Sequence, residues 1–538
     1  MNIKNIVPKL TALLTLTITL FICIKFYSIF SNDLLGQVAL ATDEIQYLFW
    51  SKQLEFGYFS KPPFIALVLR VSSELCTETG PCVRVLQPLA ITVATFFVIA
   101  TTHLFTKSLN LSFLAGLLFI SLPLITFYSQ FATTDAWLLC FWSVSFFCFA
   151  NAIYSDRLYW WLTCGVFIGL GLLTKYSMMF FLISAFIFLI STKSLSSYKP
   201  WLSLVTVLLV FSPNIFWNIS LEFPTLQHHL EMTAIDQSIS LNFSSLLEFF
   251  LGQLIVLNPI FFVLFVFTCI FYFKRRRAKV NVFKRELENS TRKFELLFYF
   301  IFPFFFSILV LSLIGETEIN WASPISICFC ILIVVWLKDC QQLPQFRSSL
   351  VNTALGLGIT LNVLFLILFL NGPKLLRYHG LENNINLNPY AQVYGYQELA
   401  NALKPTLEKH NPIIVSDDRN ILANLSVYLH PFKVKTQKNA AKIDHHWDLM
   451  YALSPDEIAT KELLIIFHQP INEDSLARLK LRLASKFKKV TLIRDEVISN
   501  LKLARNKEKG IMVFLVSNIK PLNLLKKINA DIYSNSSF

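Results

Sequence analysis

Through its first 370 residues the chain repeats one feature, an uninterrupted apolar run of roughly 20 residues, the length at which an α-helix crosses the hydrocarbon core of a bilayer. Runs of this kind leave little choice of class. In hydrocarbon each backbone N–H and C=O needs a partner inside the spanning structure, which a helix supplies by itself and an open strand does not. A membrane β-barrel would instead show short segments of alternating polarity. The runs fall near residues 10–30, 84–106, 111–129, 136–154, 159–174, 176–192, 201–217, 247–273, 294–314, 321–337 and 350–370. Hydropathy therefore predicts about eleven transmembrane helices. Composition agrees, since 54% hydrophobic residues and a mean hydropathy of +0.55 exceed what a soluble domain of 538 residues carries.

Charge sets the expected orientation. The first run is too long for the apolar part of a signal peptide and lacks a small-residue cleavage pattern, so it reads as a retained helix with Lys4 and Lys9 in the cytoplasm. From that start, the connections predicted inside carry Lys107, Arg157, Lys193, Lys199, the run Lys274-Arg275-Arg276-Arg277, then Lys279, Lys284, Arg285, Arg292, Lys293, Lys338 and Arg347. The opposite loops, near 130–135, 218–246 and 315–320, contain neither Lys nor Arg, as the positive-inside rule requires. The loop 30–83, Lys175 and everything after residue 370 are then expected outside. The net charge of +13 belongs to loops and a tail facing anionic lipid, and no nucleic-acid signature accompanies it.

In the loop 30–83, Ile45, Leu48, Phe49 and Phe56 share one helical face, and Phe64, Leu67, Val68 and Leu75 another. Two helices lying in the membrane interface are predicted there. After Asn371 the chain turns polar and lysine-rich. Apolar runs at 412–415, 463–467, 490–493 and 511–516 alternate with helical patterns at 396–409 and 473–487, which predicts a small α/β domain. The expected fold class is thus an α-helical polytopic membrane protein with a C-terminal α/β extracytoplasmic domain. The expected domains are a membrane domain over residues 1–370, including the loop 30–83, and an extracytoplasmic domain over 371–538.

Eight of the ten cysteines fall in predicted spans or inside, without metal-ligand spacing. Cys76 and Cys82 lie in the outside loop around Thr79-Gly80-Pro81; an oxidising compartment favours a disulfide, although a turn need not bring two thiols into range. No cofactor motif is visible, and the sequence leaves metal dependence open. His228-His229 have no third ligand near them and read as surface or capping residues.

The densest chemistry is Asp43-Glu44 followed by Tyr58-Phe59-Ser60-Lys61-Pro62-Pro63, ionisable groups among aromatic residues directly after the first span. Further along come Thr133-Thr134-Asp135-Ala136, Gly169-Leu170-Gly171-Leu172-Leu173-Thr174-Lys175-Tyr176, Trp217-Asn218, Asn320-Trp321-Ala322-Ser323-Pro324 and Tyr394-Gly395-Tyr396-Gln397-Glu398-Leu399-Ala400. In order and placement these motifs resemble the glycosyltransferase C-fold membrane enzymes, specifically bacterial relatives of protein O-mannosyltransferases and of lipid A aminoarabinose transferases.

The resemblance implies transfer of a sugar from a polyprenyl-phosphate carrier to a lipid or protein acceptor at the outer face of the bacterial inner membrane. Negative charge grows on the departing phosphate, and a fixed cation stabilises it. Lys61 is the first candidate, because two prolines restrict its backbone. Lys175 and Arg84 are further candidates on the same predicted side, Arg84 also reading as an interface anchor. A hydroxyl acceptor needs a carboxylate to take its proton; Asp43 holds the family's acidic position, and Asp135 holds a second one that also suits helix capping. Glu44 and Tyr58 are secondary candidates, Glu44 chiefly as helix-start electrostatics. The relatives that transfer aminoarabinose carry a glutamate before the lysine; Ser60 stands there in this chain, so the carboxylate partner for a cationic amino sugar is missing. A lipid-linked sugar transporter or flippase is the alternative, and it would predict mid-helix charges and an internal repeat.

Overall fold

The computed structural model describes residues 3–31, 34, 38–76, 80–232, 241–277, 284–315, 317–341, 348–381, 388, 390, 393, 395–436, 443, 445–470, 473–493, 495–501, 503 and 509–520. Thr79, Lys279, Arg347 and Tyr394, named above, lie outside these residues. Helices run in the order α1 (Ile3–Phe30), α2 (Thr42–Lys52), α3 (Phe64–Leu75), α4 (Gly80–Arg84), α5 (Leu86–Thr106), α6 (Leu109–Ser121), α7 (Pro123–Tyr128), α8 (Thr134–Ser155), α9 (Leu158–Leu172), α10 (Met179–Ser191), α11 (Lys199–Ser220), α12 (Pro224–Met232), α13 (Phe243–Val256), α14 (Pro259–Arg277), α15 (Lys284–Ile314), α16 (Ile325–Cys340) and α17 (Ser348–Tyr378). The chain forms two compact units, one of Met1–Gly36 with Lys61–Gly372 and the other of Gln37–Ser60 with Pro373–Phe538.

In the first unit every predicted apolar run falls on helix, but not every run is one straight span. Among the described residues six helices are long and apolar enough to cross a membrane, and a bent pair would make a seventh. Shorter apolar helices occupy Leu109–Ser121, Leu158–Leu172 and Tyr176–Ser191. The run 247–273 is α13 and α14, bent by 100°. Its cause is local. Asn258 sits at φ +70°, Pro259 opens α14 without an N–H, and the Asn258 Oδ1 accepts from Ile260 N–H at 2.9 Å. The Asn258 amide holds the corner by donating to Gly358 O (3.0 Å) and Asn362 Oδ1 (2.7 Å). The run 111–129 is likewise split, where Pro123 starts α7.

Helix α16 is buried from Ile325 through Leu337, and α8 is mostly buried, so these two form the inside of the bundle. The spanning segments of α1, α11 and α17 leave most of their surface uncovered, as bilayer-facing helices do. Helices α9 and α11 meet closely because Gly165 and Gly169, four residues apart, face Ser203, Thr206, Val207 and Val210. A Cβ on Gly165 would lie 2.5 Å from the Ser203 carbonyl oxygen, and backbone cannot rotate away. Gly165→Ala is therefore expected to destabilise the protein by about 1–3 kcal/mol through helix separation, read as a lower thermal unfolding midpoint in detergent. An unchanged midpoint would mean that the two helices slide apart freely. Cys76 and Cys82 form a disulfide with Cα atoms 5.9 Å apart.

The second unit is α/β. It adds α18 (Tyr396–His410), β1 (Ile413–Val415), α19 (Arg419–Tyr428), β2 (Val434–Lys435), α20 (His446–Met450), α21 (Pro455–Thr460), β3 (Leu463–Pro470), α22 (Glu473–Lys486), β4 (Phe487–Leu492), α23 (Glu496–Asn500) and β5 (Lys509–Ile519). The strands form one sheet in the order β2-β1-β3-β5-β4. Strand β1 pairs in parallel with β2 and β3, whereas β5 pairs antiparallel with β3 and β4. Register Ile413↔Leu463 and Ile465↔Phe514 lines Ile413, Val415, Ile465, Phe467, Phe514 and Val516 on one face, packed by Leu479 and Leu483 of α22.

Helix α2 belongs to this unit. Trp50 and Tyr58 stack at 4.3 Å, His446 meets both edge-on at 5.3 and 5.4 Å, and Phe49 stacks on Trp447 at 5.2 Å. Trp50 and Tyr58 are buried in this cluster. Helix α2 ends at Lys52, before Phe56, which remains exposed.

Burial, with a smaller contribution from neighbouring His445, pushes the His446 imidazole down to about 3. The folded protein keeps it neutral, whereas the unfolded chain protonates it below its ordinary value of about 6.5. Its contribution to stability is therefore full above about 6.5 and declines as pH falls toward 3, by about 1.4 kcal/mol per pH unit. His446→Phe is expected to flatten that decline between pH 6.5 and 4.5, followed by tryptophan fluorescence on thermal unfolding. Equal acid sensitivity in wild type and variant would exclude His446 as its source.

Candidate active site

In the first unit two of the candidate residues, Asp135 and Lys175, meet at the first turn of α8. Thr133 is the N-cap residue there, but its hydroxyl makes no capping bond and is buried without a partner. Asp135 does not cap the helix. Its Oδ1 accepts from Lys175 Nζ at 2.8 Å and from the Ser323 hydroxyl at 3.3 Å. The pair is largely enclosed, with 15% of the lysine side chain and 5% of the aspartate exposed. The three residues come from the start of α8, the turn after α9 and the turn before α16.

Two more observations enlarge the site. Tyr128, at the end of α7, lies within electrostatic range of Asp135, with the Asn320 and Ser323 side chains close to its hydroxyl. Its hydroxyl and the Asn320 side-chain oxygen are both buried without a hydrogen-bond partner. Buried polar atoms are normally satisfied, so an orphaned set beside an ion pair marks where a polar ligand or water belongs. Arg84, at the end of α4 and 1% exposed, lays its guanidinium over the Phe131 ring, 4.9 Å from the centroid. The interface-anchor reading of Arg84 does not survive its burial.

Lys61 is half-buried and precedes Pro62-Pro63, with Pro63 capping α3. The next residue, Phe64, donates its N–H to Leu173 O at 2.9 Å, tying the start of α3 to the turn that carries Lys175. Thus Lys61, Lys175, Asp135 and Arg84 all belong to one unit, the first two on segments directly hydrogen bonded. Such an arrangement can hold a phosphate. Among the described residues no group of three or more His, Cys, Asp or Glu side chains is placed to hold a metal ion.

The remaining candidates are in the second unit. Asp43, in the first turn of α2, accepts through Oδ1 from Nη2 of Arg419, whose Nε donates to Gln46 Oε1 at 2.7 Å. Glu44 is buried and turns back to accept the Ala41 N–H at 2.9 Å, the helix-start role expected of it. The Tyr58 hydroxyl accepts from Glu55 N–H at 3.2 Å and lies 3.1 Å from Trp50 O, so it braces the chain after α2. Burial pushes its pKa up, which leaves it a neutral hydroxyl.

Sequence reading assigned no role to Ser323, Tyr128 or Arg419. Ser323 and Asn320 stand in the quoted motif Asn320-Trp321-Ala322-Ser323-Pro324, and that was the available signal. Arg419 had none, being one basic residue in a basic tail.

Residues 60–217 match the family described as Dolichyl-phosphate-mannose-protein mannosyltransferase. The chain is 25% identical over 432 residues to the lipid A galacturonosyltransferase RgtD of Rhizobium johnstonii, spanning 79% of this chain and 85% of that protein. Its fold is similar to that of ArnT from Cupriavidus metallidurans bound to undecaprenyl phosphate, with a TM-score of 0.57 and 13% identity over 93% of this chain and 98% of the other. Apo ArnT from the same organism gives a TM-score of 0.55 at 12% identity. The chain has the glycosyltransferase C fold that its motifs resemble.

Proposed function

We infer that this multi-pass membrane glycosyltransferase of the C-fold type moves a sugar from a polyprenyl-phosphate carrier to a lipid acceptor of the lipid A kind. The reaction would take place on the periplasmic side of the bacterial inner membrane, where charge asymmetry puts the loop 30–83 and the tail. The observation that carries this reading is the enclosed Asp135–Lys175–Ser323 cluster, with Arg84 and Lys61 contributed by the same unit. An acceptor hydroxyl attacks the anomeric carbon, the bond from that carbon to the phosphate oxygen breaks, and the phosphate leaves with the electron pair. Lys61 and Lys175 are the proposed cations for that charge. Asp43 is the proposed acceptor of the hydroxyl proton.

For the sugar, the reading favours a hexuronic acid over an amino pentose. Ser60 in place of an acid, and three cations among the candidates, suit a carboxylate better than an ammonium, and the curated relative is named a galacturonosyltransferase. A protein acceptor is the second reading, supported by the description of the matched family. The test is mass spectrometry of surface glycolipids and glycoproteins from cells with and without the gene. Loss of one uronic residue from lipid A supports the proposal. Loss from a protein alone would transfer it to the second reading, and accumulation of untransported carrier-linked sugar would favour the flippase.

A further inference from the structure

In the second unit, the chain leaves β1 through α19 toward β2 on one side of the sheet and leaves β3 through α22, which packs on the face of Ile465 and Phe467. Helix α19 takes no part in that cluster. The parallel strands β1 and β3 are neighbours whose onward connections diverge, the arrangement that opens a ligand crevice at the carboxyl ends of strands.

At those ends stand Asp418, three residues past β1, and His468, in the last turn of register of β3. Ser416 fastens the two strand ends by donating to Ile466 O at 3.1 Å, and it accepts Asp418 N–H at 3.3 Å. His468 Nδ1 lies 2.6 Å from Asp418 Oδ2. Asp418 Oδ1 also accepts from Asn420 N–H at 2.8 Å, the N-cap bond of α19. Burial pushes the Asp418 pKa up, but the bonds from His468 and from the Asn420 N–H outweigh it and hold the carboxyl below its usual range, ionised.

The bond to the Asp418 carboxylate places a proton on Nδ1 and leaves Nε2 as the ring nitrogen turned away from it. That Nε2 is buried and has no partner, in a side chain only 6% exposed. A hydroxyl, which both donates and accepts, would satisfy it. The next residue, Arg419, uses Nε and one Nη2 hydrogen on Gln46 and Asp43, so guanidinium hydrogens remain for an anion.

We propose that the Asp418–His468 crevice binds the hydroxylated, anionic headgroup of the acceptor, with His468 Nε2 hydrogen-bonded to a headgroup hydroxyl. The assignment rests on the glycosyltransferase reading, and it makes His468 a binding residue within the second unit alone. A headgroup of this chemistry comes from a phosphorylated glycolipid, so the probe is lipid A in mixed micelles presented to the full chain.

His468→Ala is expected to raise the acceptor KM about three- to tenfold, the effect of one lost hydrogen bond, with donor KM and kcat unchanged and a lower unfolding midpoint, because Asp418 also loses its bond from Nδ1. Two further variants separate binding from scaffolding. The Gln carboxamide reaches the place of Nε2, whereas that of Asn reaches only the place of Nδ1. Rescue by His468→Gln and not by His468→Asn supports the proposal. Rescue by His468→Asn alone, or an unchanged acceptor KM in His468→Ala, overturns it. Direct micelle binding is measured beside turnover. Binding that depends on His468 without any sugar transfer would sink the transferase reading and keep the site, whereas transfer indifferent to His468 would do the reverse.

Discussion

Asp135→Asn is expected to lower sugar transfer at least a hundredfold and to destabilise the protein by about 3–5 kcal/mol, because Lys175 would be left as a buried charge without its counter-ion. The double variant Asp135→Asn/Lys175→Met replaces both charges together. Groups in direct contact couple by about 0.5–3 kcal/mol, so the double variant should recover stability relative to the sum of the single ones. It should not recover transfer, because the cation proposed for the leaving phosphate is gone. Thermal unfolding in detergent and product formation from a defined carrier-linked sugar measure the two quantities on one sample. Recovery of transfer with stability would reduce the pair to scaffolding and move the phosphate site elsewhere.

Lys61→Ala and Asp43→Asn are expected to fail in different assays. Lys61 is proposed to meet the carrier phosphate, and a charge-assisted hydrogen bond is worth roughly 1.5–3 kcal/mol, about ten- to a hundredfold in carrier affinity. Asp43→Asn keeps shape and removes charge, so carrier binding should persist while turnover to a hydroxyl acceptor falls by about a hundred- to ten-thousandfold, the usual contribution of a general base. Arg419 provides a control. It pairs with Asp43, so Arg419→Gln tests whether losing that partner has the same consequence, with loss of its proposed anion contact read separately as a raised acceptor KM. Near wild-type turnover in both Lys61→Ala and Asp43→Asn would remove the loop 30–83 from the chemistry. Turnover lost equally in Arg419→Gln and Asp43→Asn would assign the defect to the ion pair rather than to the base.

What could be read early follows from the range of each signal. Helix α1, helix α16 and strand β3 were visible because hydropathy and alternation are local, needing only a window of neighbours. The corner at Asn258-Pro259 carried a readable stop signal, yet the run of apolar residues on either side masked it. Strand β2 and helix α19 were missed: two strand residues carry no period, and α19 has a polar first turn in a polar tail. The aromatic residues of α2 were placed at a membrane surface because amphipathic rings suit either a lipid interface or a protein core. Only the tail residues His446, Trp447 and Tyr451 decide between these environments.

By itself the sequence determined that this is a polytopic helical membrane protein with a polar α/β tail, and which residues are candidates. It could do so because burial in lipid acts on each segment separately. Tertiary structure decided the pairings. Asp135 meets Lys175 across 40 residues and Ser323 across 188, while Asp43 meets Arg419 across 376. At such separations a carboxylate has no sequence mark of its partner, since several basic residues are equally eligible. The choice is made by which helix ends and strand ends packing brings together, and packing depends on the shapes of all the surfaces at once.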